Sequence, residues 1–320
     1  MLAIAGAIAP VFLLLVLGNL LRRLGFPDGR GASAAGVLAG GFWLGADRLV
    51  YWLLFPALLF QETSRAPLSD GVLGHYALIL LGAMLLAGFA SLAIARAAGS
   101  PNAAAGSIFQ GAMRHNTFIA FAVCDSLFGA AGMAQAALAT AVLVPATNVA
   151  AVSVLVLLQH DHASGGLRRR LIQELVRNPL LIAIALGLAC NIAGLQMPQI
   201  LSDGVALLAR VALPLALLCV GAALRIRALR QAGFPTLISL IGKLALYPAA
   251  IFALVGLVGL TGMPAVVAAI YGAVPTAVSS YALARQLGGD AELMAVIITA
   301  QTLAAILTMP ITIQIAMMLF

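Results

Sequence analysis

Apolar residues run along this chain in ten long stretches, separated by short polar or glycine-rich joints. The stretches are roughly Ala3–Leu21, Phe42–Gln61, Leu73–Ala95, Ala103–Phe128, Met133–Leu158, Pro179–Leu195, Ile200–Leu224, Phe234–Leu257, Met263–Leu283 and Leu293–Leu319. A helix needs about 20 mostly apolar residues to cross a bilayer, so each stretch predicts one transmembrane helix. The alternation that marks a transmembrane barrel strand is not in the pattern. The expected fold class is therefore an all-α polytopic membrane protein with ten transmembrane helices. One segment fits neither role: Gly29–Gly45 is too rich in small residues for a span and too apolar for a loop, and reads as an insertion packed on the bundle or lying in the interface.

The second half of the pattern replays the first. Pro56 in LVYWLLFPALLF answers Pro214 in ALLARVALPLALLCV at an offset of 158 residues. Asn116 in GAMRHNTFIAF answers Pro275 in YGAVPTAVSSY at 159, and Gly18 answers Gly187 at 169. The polar loop around Gln159–Arg177 divides the chain into a first repeat (1–160), a cytoplasmic linker (161–178) and a second repeat (179–320). Five helices per half is an odd number, so the second copy would insert upside down, giving an inverted repeat. Paired interruptions at matching places in two such halves point to the binding site of a secondary transporter.

Charge sets the orientation. Of the seventeen basic residues, thirteen fall on one side of the ten-helix layout, Arg65 alone falls on the other, and Arg114, Arg210 and Lys243 lie within spans. Basic residues gather on the cytoplasmic side. The layout therefore places both termini outside, in a cytoplasmic (inner) membrane. The first stretch has no basic residues before it, unlike a signal peptide, and reads as a retained helix. Composition agrees: 63% of residues are hydrophobic and only 8% charged, with a mean hydropathy of +1.11. The net charge of +7 belongs to helix ends facing anionic lipid, which argues against nucleic acid as a partner. Cys124, Cys190 and Cys219 sit inside apolar stretches without metal-binding spacing, so neither metal nor cofactor is expected. No catalytic or nucleotide-binding signature occurs, so an enzyme is not expected and transport would be driven by an ion gradient or be passive.

Ionisable groups inside the bilayer are costly and mark candidate sites. Arg114 lies mid-span, directly before His115 and Asn116, and Lys243 is the chain's only lysine. Either they form an electropositive site for an anion, or they pair structurally with carbonyls or acids. Arg210 poses the same choice nearer a helix end. Asn116 and Thr117 in one half, and Pro275, Thr276, Ser279 and Ser280 in the other, form the polar breaks. Proline removes a donor, and backbone groups freed within a membrane must find protein, water or cargo. Asn148, Gln301 and Asn19 are amides in neighbouring spans, able either to line the cavity or to glue helices together. Asp125 is either buried and titrating or exposed at the turn LFGAAGM.

GNLLRRLGF, YWLLFPALLFQETS, MRHNTFIAFA and AVPTAVSSYALARQLGGDAELMAVIITAQTLAAILTMP together resemble the auxin efflux carrier family in its shorter bacterial form. Similar proteins are often described as malate, malonate or other carboxylate permeases. The resemblance implies two inverted five-helix repeats, similar to bile acid–sodium symporters and certain sodium–proton antiporters. It implies broken helices 4 and 9 crossing at Asn116 and Pro275, with substrate at the crossing. Helices 1, 2, 6 and 7 would form a scaffold and homodimer surface, and helices 3–5 and 8–10 a moving transport domain. Plant relatives place a proline where this chain has Asn116, so the first break would be milder. The expected function is secondary transport of small organic anions by alternating access, with protons or sodium as coupling ions. Arg114 would supply charge, Asn116 and Thr276 hydrogen bonds, and Pro275 freed backbone. A sodium-coupled symporter of an amphipathic anion and a non-transporting membrane sensor are the alternatives.

Overall fold

A computed structural model of the chain describes residues 2–27, 41–66, 72–158, 172 and 175–320. The Gly29–Gly45 insertion up to residue 40 and most of the 161–178 linker lie outside the described residues. Every regular element among the described residues is helical. Seven helical runs are long and apolar enough to cross a membrane, and Pro179–Ile192 and Gly262–Ala273 are shorter apolar helices beside them.

In order, the elements are α1 (Leu2–Arg23), α2 (Gly41–Leu49), α3 (Phe55–Arg65), α4 (Val72–Ala97), α5 (Asn102–Met113), α6 (Thr117–Leu158) and α7 (Pro179–Ile192). They continue as α8 (Gln199–Ala223), α9 (Phe234–Ile241), α10 (Tyr247–Val258), α11 (Gly262–Ala273), α12 (Ser279–Gln286) and α13 (Ala291–Leu319). A straight α6 would measure about 63 Å, twice the roughly 30 Å hydrocarbon core. It is not straight, because Gly129 leaves helical geometry at φ 58° and ψ −143°. Only glycine adopts that region at little cost. The kink falls in the LFGAAGM joint between two apolar stretches.

Two helical runs loosen into single π-helical turns, Val50–Leu54 between α2 and α3 and Gly242–Leu246 between α9 and α10. Pro56 and Pro248 come within two residues of them, and a proline cannot donate its ladder bond. The extra residue in each π turn rotates the next helix, α3 or α10, about its axis.

Packing falls into two groups, which meet where α6 lies against α1 and α3. α1 lies along α8, and α3 along α7 and α8; separately, α4 packs on α5, α6 and α10, α5 on α9, and α11 on α6 and α13. Within the first group two contacts echo each other. Gly18 of α1 lies against the Leu218 backbone of α8, and Gly187 of α7 lies against Thr63 and the Phe60 carbonyl of α3. Directly after Gly18, the Asn19 amide donates to the carbonyls of Gly221 (3.1 Å) and Leu224 (3.0 Å) at the end of α8. The Asn191 amide donates to those of Thr63 (2.9 Å) and Ala66 (2.8 Å) at the end of α3. Asn19 is thus helix glue rather than part of a cavity.

Large apolar side chains also point outward: Ile192 is 76%, Ile200 87% and Leu257 82% exposed. Such surface suits lipid, which is as apolar as the side chains. A Cβ at Gly18 would collide with the Leu218 carbonyl oxygen, a backbone atom that cannot swing aside. Gly18→Ala is expected to cost about 1–3 kcal/mol through overpacking and to lower Tm in detergent by about 2–8 °C. Gly204→Ala, where nothing lies within 4 Å, should leave Tm unchanged; equal losses in both variants would refute the close-packing account.

Candidate functional site

The polar interruptions become real gaps in two helices. α5 ends at Met113, and residues 114–116 are non-helical before α6 begins at Thr117. Arg114 is extended at φ −74° and ψ 159°. α11 ends at Ala273, Val274 is extended at φ −66° and ψ 148°, and α12 begins at Ser279. The two gaps touch through their backbones: the Asn116 N–H donates to the Pro275 carbonyl at 2.8 Å. Pro275 has no N–H to return the bond, so the contact is one-sided.

Side chains close the ends that the gaps expose. The Asn116 carboxamide oxygen accepts from the Ile119 N–H at 3.1 Å, capping the first turn of α6. Gln301 of α13 serves both gaps. Its oxygen accepts from the Thr276 N–H at 2.9 Å, while its nitrogen donates to the Gly111 carbonyl at 3.0 Å and the Ser239 carbonyl at 3.1 Å. The Thr276 hydroxyl donates to the Gln110 carbonyl at 3.4 Å. Arg114 spans the gaps from the other side, its Nη2 donating to the Ser279 hydroxyl at 3.2 Å. Arg114 is buried, whereas Ser279 is exposed, so the charge lies just beneath an accessible residue.

Arg114, His115, Asn116, Thr117, Pro275, Thr276, Ser279, Ser280 and Gln301 are therefore one cluster. Lys243 stands behind it, its Nζ donating to the Tyr271 carbonyl at 3.2 Å; the Tyr271 and His115 rings are 5.4 Å apart. Asn148 is half-buried one turn past Pro145 and takes no part in the network. Arg210 and Asp125 lie elsewhere, in the lining of a cavity of about 340 Å³ between α1, α3, α6 and α8, along with Gln61 and Ser126. That lining is otherwise apolar.

Sequence reasoning missed Gln110, Ser239 and Tyr271. Ser239 could have been found, because Thr236, Ser239 and Lys243 lie at i, i+3 and i+7, on one helical face. Gln110 is fully buried one turn before Arg114, and neither atom of its amide has a hydrogen-bond partner among the described residues. Both nitrogens of the 4% exposed His115 imidazole are likewise unsatisfied. Buried polar groups need partners, and in a membrane interior these are water or cargo.

Among the described residues, the helices meeting here carry three acids, all away from the gaps: Asp125, four residues before the Gly129 kink of α6, Asp290, which caps α13, and Glu292, which pairs with Arg225 at 3.3 Å. The Arg114 guanidinium thus gives the junction a positive field in a low-dielectric setting, which favours an anion. No group of three or more His, Cys, Asp or Glu side chains able to hold a metal occurs among the described residues.

Long apolar helices, an apolar exterior and a buried cationic junction define a polytopic membrane protein built around an internal polar site. A family model described as a membrane transport protein matches residues 43–313, most of the chain. The chain belongs to that family, the auxin efflux carriers. No curated protein matches it.

Proposed function

We propose that this chain is a secondary transporter of small organic anions, carboxylates above all, working by alternating access in a cytoplasmic membrane. The observation that carries the reading is the Asn116–Pro275 backbone contact with Arg114 beside it. Two half-helices meeting at a break leave backbone groups for cargo, and a guanidinium matches the geometry of a carboxylate.

In this reading the chain crosses the membrane ten times as two inverted repeats with both termini outside, and α5–α6 and α11–α12 are the crossing helices. The matched Gly18 and Gly187 contacts and the matched Asn19 and Asn191 caps support the repeat. The packing group of α1, α3, α7 and α8 would be the scaffold, able to pair with a second copy. The group around α4, α5, α6 and α9–α13 would move against it, driven by protons or sodium or by the cargo gradient.

The test is thermal unfolding of the purified chain with acetate, malonate, malate and indole-3-acetate at matched ionic strength, followed by flux in proteoliposomes. A ligand at about 100 times its Kd stabilises by roughly 2.7 kcal/mol, a Tm rise of about 5 °C or more. At least one carboxylate is expected to raise Tm and to cross the membrane. If none does either, the reading fails; stabilisation without flux would make the protein a sensor.

A further inference from the structure

The break at Pro275 leaves a specific debt in the backbone. In an uninterrupted helix the Tyr271 carbonyl would accept from the N–H of residue 275, but residue 275 is proline and has none. The carbonyl is fully buried within α11, at the helix end where the macrodipole is negative. Lys243 answers it. Its Nζ donates to that carbonyl at 3.2 Å and sits 3.9 Å from the centre of the Tyr247 ring, a separation suited to cation–π attraction. The side chain is entirely buried.

The chain is built to put it there. Lys243 lies in the π turn Gly242–Leu246, a geometry frequent at functional sites. Gly242 lets that turn press on the neighbouring helices, since a Cβ there would strike Ser91 and lie 2.9 Å from the Ala112 Cβ. The helices packed around the π turn carry no acid among their described residues except Glu292, at the far end of α13 and already paired with Arg225. The first break is handled differently. Its equivalent carbonyl, Gly111, loses its partner because His115 has left the helix, and the neutral amide of Gln301 serves it at 3.0 Å.

We infer that Lys243 is a tethered monovalent cation: its ammonium occupies, at the carbonyl end of α11, the place a free cation would take in a carrier driven by one. Freed carbonyls at half-helix C-termini are the groups that coordinate sodium in such carriers. Here the second break is held together in cis, and transport needs neither sodium nor potassium on either side. Only that last consequence rests on the transport reading; the tethered-cation geometry is testable without any cargo.

Thermal unfolding of the full chain in detergent is the experiment. The wild type is expected to unfold at the same temperature, within about 1 °C, in sodium, potassium and choline chloride. Lys243→Ala is expected to lose about 5 °C or more. n-Propylammonium, which restores the missing atoms with their charge, should recover at least half of that loss, while 1-propanol should recover none. Lys243→Met, similar in length but without a donor, should fall below the wild type. Sodium stabilising the wild type, propanol rescuing as well as the amine, or Lys243→Met matching the wild type would each overturn the inference. Should Lys243→Ala not fold, the methionine variant and the cation series still decide. Absence of any carboxylate effect would count against the transport reading alone.

Discussion

Uptake of labelled malonate is expected to fall by roughly 30- to 140-fold when Arg114 becomes alanine, while the protein still folds. Hydrogen bonds to a charged partner are worth up to about 3 kcal/mol, and two such bonds from one guanidinium to a carboxylate form a bidentate pair. A loss of about 2–3 kcal/mol is tenfold for every 1.4 kcal/mol. Stability should change little by comparison, because the Arg114 backbone N–H closes α5 on the Gln110 carbonyl whatever the side chain. Arg114→Lys keeps the charge but loses the planar fork, and an intermediate loss of about tenfold is expected. Ser279→Ala removes one bond from the guanidinium to an exposed hydroxyl, whose place water can take, and should cost about threefold, near 0.7 kcal/mol. Initial rates in proteoliposomes, measured against malonate concentration, separate the cases. If Arg114→Ala moves malonate at the wild-type rate, the cationic junction is structural and the carboxylate reading loses its main support.

Much of this site is legible in the amino-acid sequence alone, for a physical reason. Lipid tolerates few polar groups, so Arg114, His115, Asn116 and Lys243 stand out against an apolar background, and Pro275 announces a broken ladder. Turns are legible on the same ground: the kink at Gly129 falls in a glycine-containing joint of the pattern. The match of Gly18 with Gly187 is visible as spacing, and the structure supplies its cause, since each glycine admits a neighbouring backbone. What the pattern does not convey is which faces meet. The π turns at Val50–Leu54 and Gly242–Leu246 shift the helical register by one residue, and no periodicity records that shift. Hence Tyr271 does not stand out in the sequence, although its carbonyl bonds to Lys243, which does. Amides are ambiguous for a related reason. Asn19, Asn148 and Gln301 are alike as polar residues in apolar spans, and only packing separates a helix cap from a bystander and a hub.

Gln301 is the hub, and Gln301→Leu is expected to be the most destabilising single change at the junction. The leucine would leave the Thr276 N–H and the Gly111 carbonyl buried without the partner each now has, and the Ser239 carbonyl with only the Gly242 N–H. Each orphaned buried group costs about 1–3 kcal/mol, although bonds between membrane helices are often worth less than their analogues in water. A total of about 2–5 kcal/mol is expected, read as a Tm lower by roughly 5–15 °C. Gln301→Glu should be nearly as damaging despite its shape, because a carboxylate can accept from Thr276 but cannot donate to two carbonyls. A double-mutant cycle with Ser239→Ala tests the connection, since the Gln301 nitrogen also lies 3.2 Å from the Ser239 hydroxyl. Residues in one hydrogen-bond network couple by about 0.5 kcal/mol or more, whereas independent sites add. Additive losses, or a leucine variant as stable as the wild type, would mean that α13 merely lies alongside the gaps. Coupled losses mean that one side chain ties α5, α9, α13 and the α11–α12 gap into a single body. Such a body can shift between two arrangements only as a whole, so Gln301→Leu should abolish uptake even where Arg114 is intact.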